Sequence, residues 1–449
     1  MNTGPDMTAP RRCRALLIAA PASGQGKTTV TAAIARLHSR AGRKVRVFKC
    51  GPDFIDPQWL SVASGHPVHN VDLWLCGEDD ARARLYDAAD DADLILIEGV
   101  MGLFDGNPSA ADLAERFGIP VLAVIDASAM AGTFGALAHG LQHYRPSLPW
   151  AGVLANRVAS AGHGEMLAEA LPNAADWWGR MPREAGITLG ERHLGLKLAR
   201  ERADALAVMD AAADALADTA LADWDAAQWS RCEVALSPAG FPAIEPLLQG
   251  KTIALAEDDA FCFVYESNVQ TLQALGAQVV RFSPLANDAV PTCDAVWLPG
   301  GYPELHVQAL QSATRTAQGV ALALERGTPV WAECGGWMTL CERIVQQDGQ
   351  KVEMWGLFPG EAVVHQRLAA LGSQGWTTAL GMLRGHAFHY STIETAQTPI
   401  GQTTKHRGGR ESAGESIYRL GSLQASYFHP WFASNPQATA ALFLPEAQA

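Results

Sequence analysis

The sequence has no CxxC pair, no excess of positive charge, no internal repeat and no apolar run long enough to span a bilayer. Each absence closes a class. Eight cysteines stand apart at 13, 50, 76, 232, 262, 293, 334 and 341, so neither a zinc site nor a disulfide framework has support. Reduced thiols in a cytoplasmic protein are the plain expectation. A formal net charge of -13 argues against bulk attraction to nucleic acid or to an anionic membrane, while leaving room for a locally basic site. The first apolar stretch, residues 16–22, runs straight into a glycine-rich loop and reads as a buried strand, not a signal peptide or membrane span. Residues 1–14 before it read as a loose polar tail.

What is present is a globular composition, 48% apolar, on 449 residues, which is too much chain for one ordinary core. Two α/β domains are expected. Short apolar runs at 14–19, 44–48, 93–98, 120–126 and 152–157 alternate with helical spacing, the pattern of a parallel sheet covered by helices. An alanine-rich helical stretch at 201–221 closes this half. Periodicity then fails, and Pro238, Pro242 and Pro246 interrupt the chain. The expected division is a first domain at 12–225, a linker at 226–250 and a second domain at 251–449. Within the latter, strands are expected from residue 251 and at 278–282, 295–298 and 329–332. Thirteen tryptophans are expected mainly in the core.

Residues 21–28, PASGQGKT, lie between an apolar run and an amphipathic helix, which is the setting of a phosphate-binding loop. Gly24 and Gly26 let backbone N–H groups converge on phosphate, Lys27 reaches the outer phosphates, and the Thr28 hydroxyl is placed for Mg²⁺. Pro21 stands where the motif has its first glycine. After the second strand comes GPDFIDP, with Asp53 and Asp56 held between prolines at the sheet's ligand-binding edge. After the third comes EGVMGLFDG. There Glu98 is placed to hold the metal, and Asp105 sits on a glycine-flanked loop that can approach a substrate or merely form a turn.

In the second half, TPVWAECGG is an apolar strand ending at Cys334 and turning on two glycines into a helix expected over 337–345. That is a nucleophile elbow with cysteine as nucleophile. The helix N-terminus is expected to favour the thiolate and the developing oxyanion, with Gly301 of LPGGYPE and Gly335 offering backbone N–H groups. His429, at a strand end in ASYFHPW, is the candidate base.

These segments together resemble the cobyrinic acid a,c-diamide synthase family, including its cobalt-free hydrogenobyrinic acid members. The likeness runs from about residue 14 to 445, through SGQGKTT (23–29), GPDFIDP (51–57), EGVMGLFDG (98–106) and ERHLGL (191–196). It continues through AFCFVYESN (260–268), FSPL (282–285), LPGGYPEL (298–305), AECGG (332–336) and SYFHPWFASNP (426–436). The resemblance implies a dethiobiotin-synthetase-like P-loop domain followed by a class I glutamine amidotransferase-like domain. It implies that ATP with Mg²⁺ phosphorylates the a and c acetate carboxylates of a corrin ring, and that ammonia from glutamine displaces the phosphate. Residue by residue it assigns Cys334 as nucleophile and His429 as its base. Gly24, Gly26, Lys27, Thr28 and Thr29 go to the nucleotide, Asn156 to adenine, Thr28 and Glu98 to the metal, and Asp53, Asp56 and Asp105 to the ATP and carboxylate site. The partners implied are the corrinoid, glutamine and ATP, with no nucleic acid or membrane and a homodimer as the conceivable assembly.

Two departures stand out. Trp431 occupies the position, two after the histidine, where most class I amidotransferases carry a glutamate. Ala387 replaces the glutamate of the family's GHEFHYS, so His386 and His389 are read as packing or hydrogen-bonding residues. The alternatives are an amidase of a sirohydrochlorin-type tetrapyrrole, or a P-loop ATPase binding module with an inactive amidotransferase domain.

Overall fold

A computed structural model describes residues 9–187, 191–192, 195–196, 202–407 and 410–445. The tail 1–8, His193 and Leu194 of the ERHLGL segment, Glu201, and residues 446–449 therefore lie outside the described residues. The chain divides into two compact units, Met1–Phe241 and Pro242–Ala449.

The first unit alternates strand and helix: β1 (Arg11–Ala19), α1 (Lys27–Arg40), β2 (Val45–Lys49), α2 (Asp56–Ser64), β3 (His69–Asn70), α3 (Glu78–Ala88), β4 (Leu94–Glu98), α4 (Ala110–Phe117), β5 (Val121–Asp126), α5 (Thr133–His143), β6 (Trp150–Val158), α6 (Ala161–Glu169) and β7 (Trp177–Pro182). The small strands β8 (Glu191–Arg192) and β9 (Gly195–Leu196) follow, then α7 (Ala205–Asp214) and β10 (Glu233–Leu236). The sheet order among the described residues is β3-β2-β4-β1-β5-β6-β7, all parallel, with β10 antiparallel against the start of β1. The pattern explains itself. Leu17, Ala19, Ile95 and Ile97 enter one core cluster, while their neighbours Leu16, Ile18, Leu94 and Leu96 enter the other. Both faces of the sheet are thus apolar, which demands helices on both sides. Strand order reverses around β1, so the loop after β1 opens into the crevice at the carboxyl ends of the strands.

Two expectations change here. The helix expected at 201–221 is confined to α7; beyond it the chain continues in turns, where the Thr219 hydroxyl donates to Leu216 O (2.7 Å). Part of the expected linker, residues 227–236, is a 3-10 helix and β10. Its alternating EVAL pattern pairs with β1, which a proline-rich surround disguised.

The second unit contains β11 (Thr252–Ala256), α8 (Glu266–Ala274), β12 (Gln278–Phe282), β13 (Ala295–Leu298), α9 (Val307–Ser312), α10 (Thr314–Glu325), β14 (Val330–Glu333) and α11 (Gly335–Leu340). Then come β15 (Cys341–Val345), β16 (Lys351–Glu353), β17 (Phe358–Val364), β18 (Ala370–Thr378), β19 (Gly381–His389), β20 (Ser391–Glu394), β21 (Gly401–Arg407), β22 (Arg410–Leu420), β23 (Leu423–Ser426), β24 (His429–Pro430) and α12 (Pro436–Leu442). One sheet runs β12-β11-β13-β14-β23-β22-β21-β18-β19-β24, parallel over its first five strands. A smaller sheet runs β16-β15-β17-β20. The helix expected at 337–345 ends at Leu340, because the following Cys-Glu-Arg-Ile-Val pairs with β16 and β17. Trp59, Trp178, Trp229, Trp297, Trp331 and Trp431 are fully buried core residues. Among the described residues no helix is long and apolar enough to cross a membrane.

Candidate active sites

The first unit's site is built where β1, β2 and β4 end. The loop after β1 turns into α1 through Gly26 at φ 91°, a left-handed conformation suited to glycine. Glycine is doubly required there: a Cβ would lie 2.2 Å from the Asn156 amide nitrogen. That amide donates to Gln25 O (2.8 Å), so Asn156 holds the loop from the end of β6. Lys27 is buried, and its ammonium donates to Ala22 O (3.2 Å) and Met101 O (2.6 Å). Burial pushes its pKa down, and the neighbouring charge of Lys49 pushes it further. Thr28 donates through its hydroxyl to Glu98 Oε1 (2.8 Å).

Lys49, at the end of β2, was not among the residues expected at the site. Its Nζ donates to Asp56 Oδ2 (2.6 Å) and to Glu98 Oε1 (2.9 Å). Asp53 Oδ1 accepts from the backbone N–H groups of Ile55 (2.8 Å) and Asp56 (2.9 Å), fixing the entry to α2. Burial raises Glu98 to about 7 and Asp53 to about 6, each moderated by Lys49. Burial acts the same way on Asp56, but direct contact with Lys49 carries its carboxyl below the usual range. A cleft of about 330 Å³ is lined by Gly24, Gly26, Lys27, Thr28, Thr29, Lys49, Asp53, Asp56, Glu98 and Arg157, among others. Asp105 and Asn156 are not part of that lining. The Asp105 carboxylate accepts from Gly102 N (2.9 Å), closing its own turn, and its charge acts on Lys27.

The second unit's site forms where β13 and β14 end. Cys334 follows β14 with φ 44° and ψ -108°, a strained elbow for a non-glycine residue. Its thiol is buried, and desolvation pushes the pKa well up, with the charge of Glu304 adding to it against the Gly335 N–H. Burial thus works against the thiolate expected at a helix N-terminus: α11 has only six residues, and the Gly335 amide opposes the shift. Alkylation of Cys334 by iodoacetamide, mapped by peptide mass spectrometry, should accordingly keep rising about tenfold per pH unit from 7 to 9. A plateau from pH 7 would mean a preformed thiolate.

Gly300 and Gly301 approach this elbow closely. A Cβ on Gly300 would lie 2.5 Å from His429 Cε1 and 3.3 Å from Cys334 Cβ, so histidine, cysteine and glycine turn converge. A Cβ on Gly335 would lie 2.9 Å from Gly301 N, so the glycine turn packs directly against the elbow. His429 lies on β24, paired with His386 of β19. Its Nδ1 is 2.9 Å from Glu333 Oε2, and Glu333 Oε1 accepts from the indoles of Trp297 (2.8 Å) and Trp331 (2.7 Å). His386 stacks against His429 with ring centroids 5.2 Å apart, and burial holds its pKa well down. His389 stacks on Tyr427 and contacts Ser391 O (2.7 Å) and Glu415 (3.3 Å).

Lys49 and Glu333 were the omissions, and one signal marks both. Each is a buried charged residue at the carboxyl end of a strand, VRVFK and VWAE, just as Glu98 ends LILIE.

Residues 16–196 match the CobQ/CobB/MinD/ParA nucleotide binding domain, and residues 252–437 match the CobB/CobQ-like glutamine amidotransferase domain. Hydrogenobyrinate a,c-diamide synthase of Stutzerimonas stutzeri is 52% identical over 97% of this chain and 99% of its own. Its namesake from Pseudomonas aeruginosa is 52% identical over 98% and 99%. Cobyrinate a,c-diamide synthase of Herminiimonas arsenicoxydans is 48% identical over 97% and 98%. With P-loop cleft and cysteine elbow on one chain, and likeness along nearly all of it, the chain belongs to the hydrogenobyrinate/cobyrinate a,c-diamide synthase family.

Proposed function

We propose that the first unit activates the a and c acetate carboxylates of hydrogenobyrinate or cobyrinate as acyl phosphates, and that the second unit supplies ammonia from glutamine. The chain is an ATP- and glutamine-dependent carbon–nitrogen ligase. The observation that carries the rest is the convergence of Cys334, His429 and Gly300 in one unit of a chain whose other unit holds a lysine-and-carboxylate-lined P-loop cleft.

A carboxylate is a poor electrophile, so its oxygen first attacks the γ-phosphorus of ATP, releasing ADP and creating a phosphate leaving group. Lys27 and Lys49 stand ready to balance the phosphoryl charge, and the amides of the loop at Gly24 and Gly26 cradle the phosphates. Thr28 and Glu98 fit Mg²⁺: both present oxygen to the cleft, and Glu98 Oε2 is buried with no hydrogen-bond partner among the described residues. When bound, the ion would neutralise charge on the transferring phosphoryl group.

At the elbow, the Cys334 sulfur attacks the glutamine carboxamide while its proton passes to His429. The tetrahedral oxyanion is met by the Gly301 and Gly335 amides. The proton returns to the leaving nitrogen as ammonia departs, and water then hydrolyses the thioester to glutamate and free thiol. Ammonia displaces phosphate from the acyl phosphate and leaves an amide. The domain roles follow: 12–225 for activation, 251–449 for ammonia supply.

Incubation with ATP, Mg²⁺ and amide-¹⁵N glutamine, with each ring offered separately, tests the reading. Two labelled nitrogens on one ring are expected by mass spectrometry, and the ring used decides the cobalt question. No label in either, with glutamine and ATP still cleaved, would transfer the chemistry to another tetrapyrrole.

A further inference from the structure

The position two residues after His429, where a carboxylate would orient the imidazole, is Trp431, so the histidine needs another partner. The geometry points to Glu333, the residue immediately before the nucleophile, as the positioning residue that fixes the ring and tautomer of His429. The inference rests on the reading of Cys334 and His429 as nucleophile and base. Glu333 is 2% exposed, at the end of β14, and Oε2 lies 2.9 Å from His429 Nδ1. A carboxylate only accepts, so Nδ1 carries the hydrogen and Nε2 is left with its lone pair for the Cys334 proton.

What distinguishes this contact from incidental packing is the other oxygen. Glu333 Oε1 accepts from both Trp297 Nε1 (2.8 Å) and Trp331 Nε1 (2.7 Å), donors on β13 and β14. Two indoles thus lock the carboxylate plane, and the remaining oxygen is aimed at the imidazole. Glu333 and Cys334 are adjacent in sequence, the acid ending β14 and the nucleophile standing at the elbow after it.

The indoles also make Glu333→Gln a sharp probe. With two N–H donors fixed on one side, the amide must turn its oxygen to the tryptophans and its NH₂ to Nδ1. His429 then has to accept at Nδ1 and carry its hydrogen on Nε2, the tautomer that cannot take the thiol proton. Glutaminase kcat should fall on the order of 10³-fold with KM for glutamine changed little. Glu333→Asp, which keeps the charge on a shorter stem, should recover part of the loss. Two-dimensional ¹H–¹⁵N spectra of histidine-labelled protein should show His429 changing from the Nδ1–H to the Nε2–H tautomer in Glu333→Gln. Synthesis from ammonium serves as the check that the variant is folded.

Glu333→Gln with unchanged kcat and tautomer, while Cys334→Ser and His429→Asn abolish glutaminase, would overturn the positioning inference alone. Retention of glutaminase by Cys334→Ser or His429→Asn would overturn the underlying assignment instead. A fall in kcat equal for Gln and Asp, with the tautomer unaltered, would reduce Glu333 to a packing residue and likewise overturn the inference.

Discussion

Cys334→Ser is expected to lose glutamine-dependent amidation by at least about 10³-fold while retaining synthesis from free ammonium. The asymmetry follows from which step needs the sulfur. Thioester formation requires a nucleophile that gives up its proton to His429 in the transition state, and a buried serine hydroxyl is far more reluctant to do so than a thiol. Burial disfavours the Cys334 thiolate, so the reaction leans on proton transfer to His429. Acyl phosphate formation and its attack by ammonia make no use of Cys334. The measurement is product formation with glutamine and with ammonium chloride at matched pH. Serine at this 4% exposed position adds a hydroxyl that needs a partner, at a cost of about 1–3 kcal/mol, which the ammonium-supported rate will show to be tolerated. If ammonium fails to restore turnover although ATP is still cleaved, Cys334 does more than supply ammonia.

Glu98→Gln is expected to produce the complementary defect: amidation with either nitrogen source falls by roughly 10²–10³-fold, while Cys334 alkylates at the unaltered rate. The substitution preserves shape but removes the charge that Thr28 and Lys49 both address, at 2.8 and 2.9 Å. Lys49 keeps Asp56 at 2.6 Å, so its charge is not stranded, and the fold should survive with a loss smaller than the 3–5 kcal/mol typical of a broken buried pair. ADP release with and without the ring, together with a melting curve, separates failed phosphoryl transfer from failed folding. Unimpaired synthesis in both Glu98→Gln and Asp53→Asn would dismiss the acidic cluster as chemistry and leave it as scaffolding.

The elements that sequence resolves here are those whose signal is local and repeated. The parallel strands β1, β2, β4, β5 and β6 send apolar side chains into the cores on both faces of the sheet, and their runs could be located to within a few residues. The phosphate loop and the cysteine elbow were legible for a related reason: each is a strand, a glycine turn and a helix, contiguous in the chain. The antiparallel strands from Phe358 to Leu420 were not foreseen. They carry glycines at 360, 372, 375, 381 and 385, and their exposed faces dilute the alternation on which recognition depends. Cys341–Val345 was misread as helix because its pairing partners, β16 and β17, begin at residues 351 and 358.

The two kinds of chemistry this chain carries are legible residue by residue, because a P-loop and a nucleophile elbow are each written in one short segment. Which further charges serve them depends on the fold. Lys49 meets Glu98 across 49 residues, and His429 meets Glu333 across 96, contacts set by which strands become neighbours in the sheets. The fold also sets burial of the Cys334 thiol, which raises its pKa, against the amide that the short helix offers it. Local pattern fixes which backbone turns can form, whereas the desolvation and pairing of a charge depend on everything packed around it.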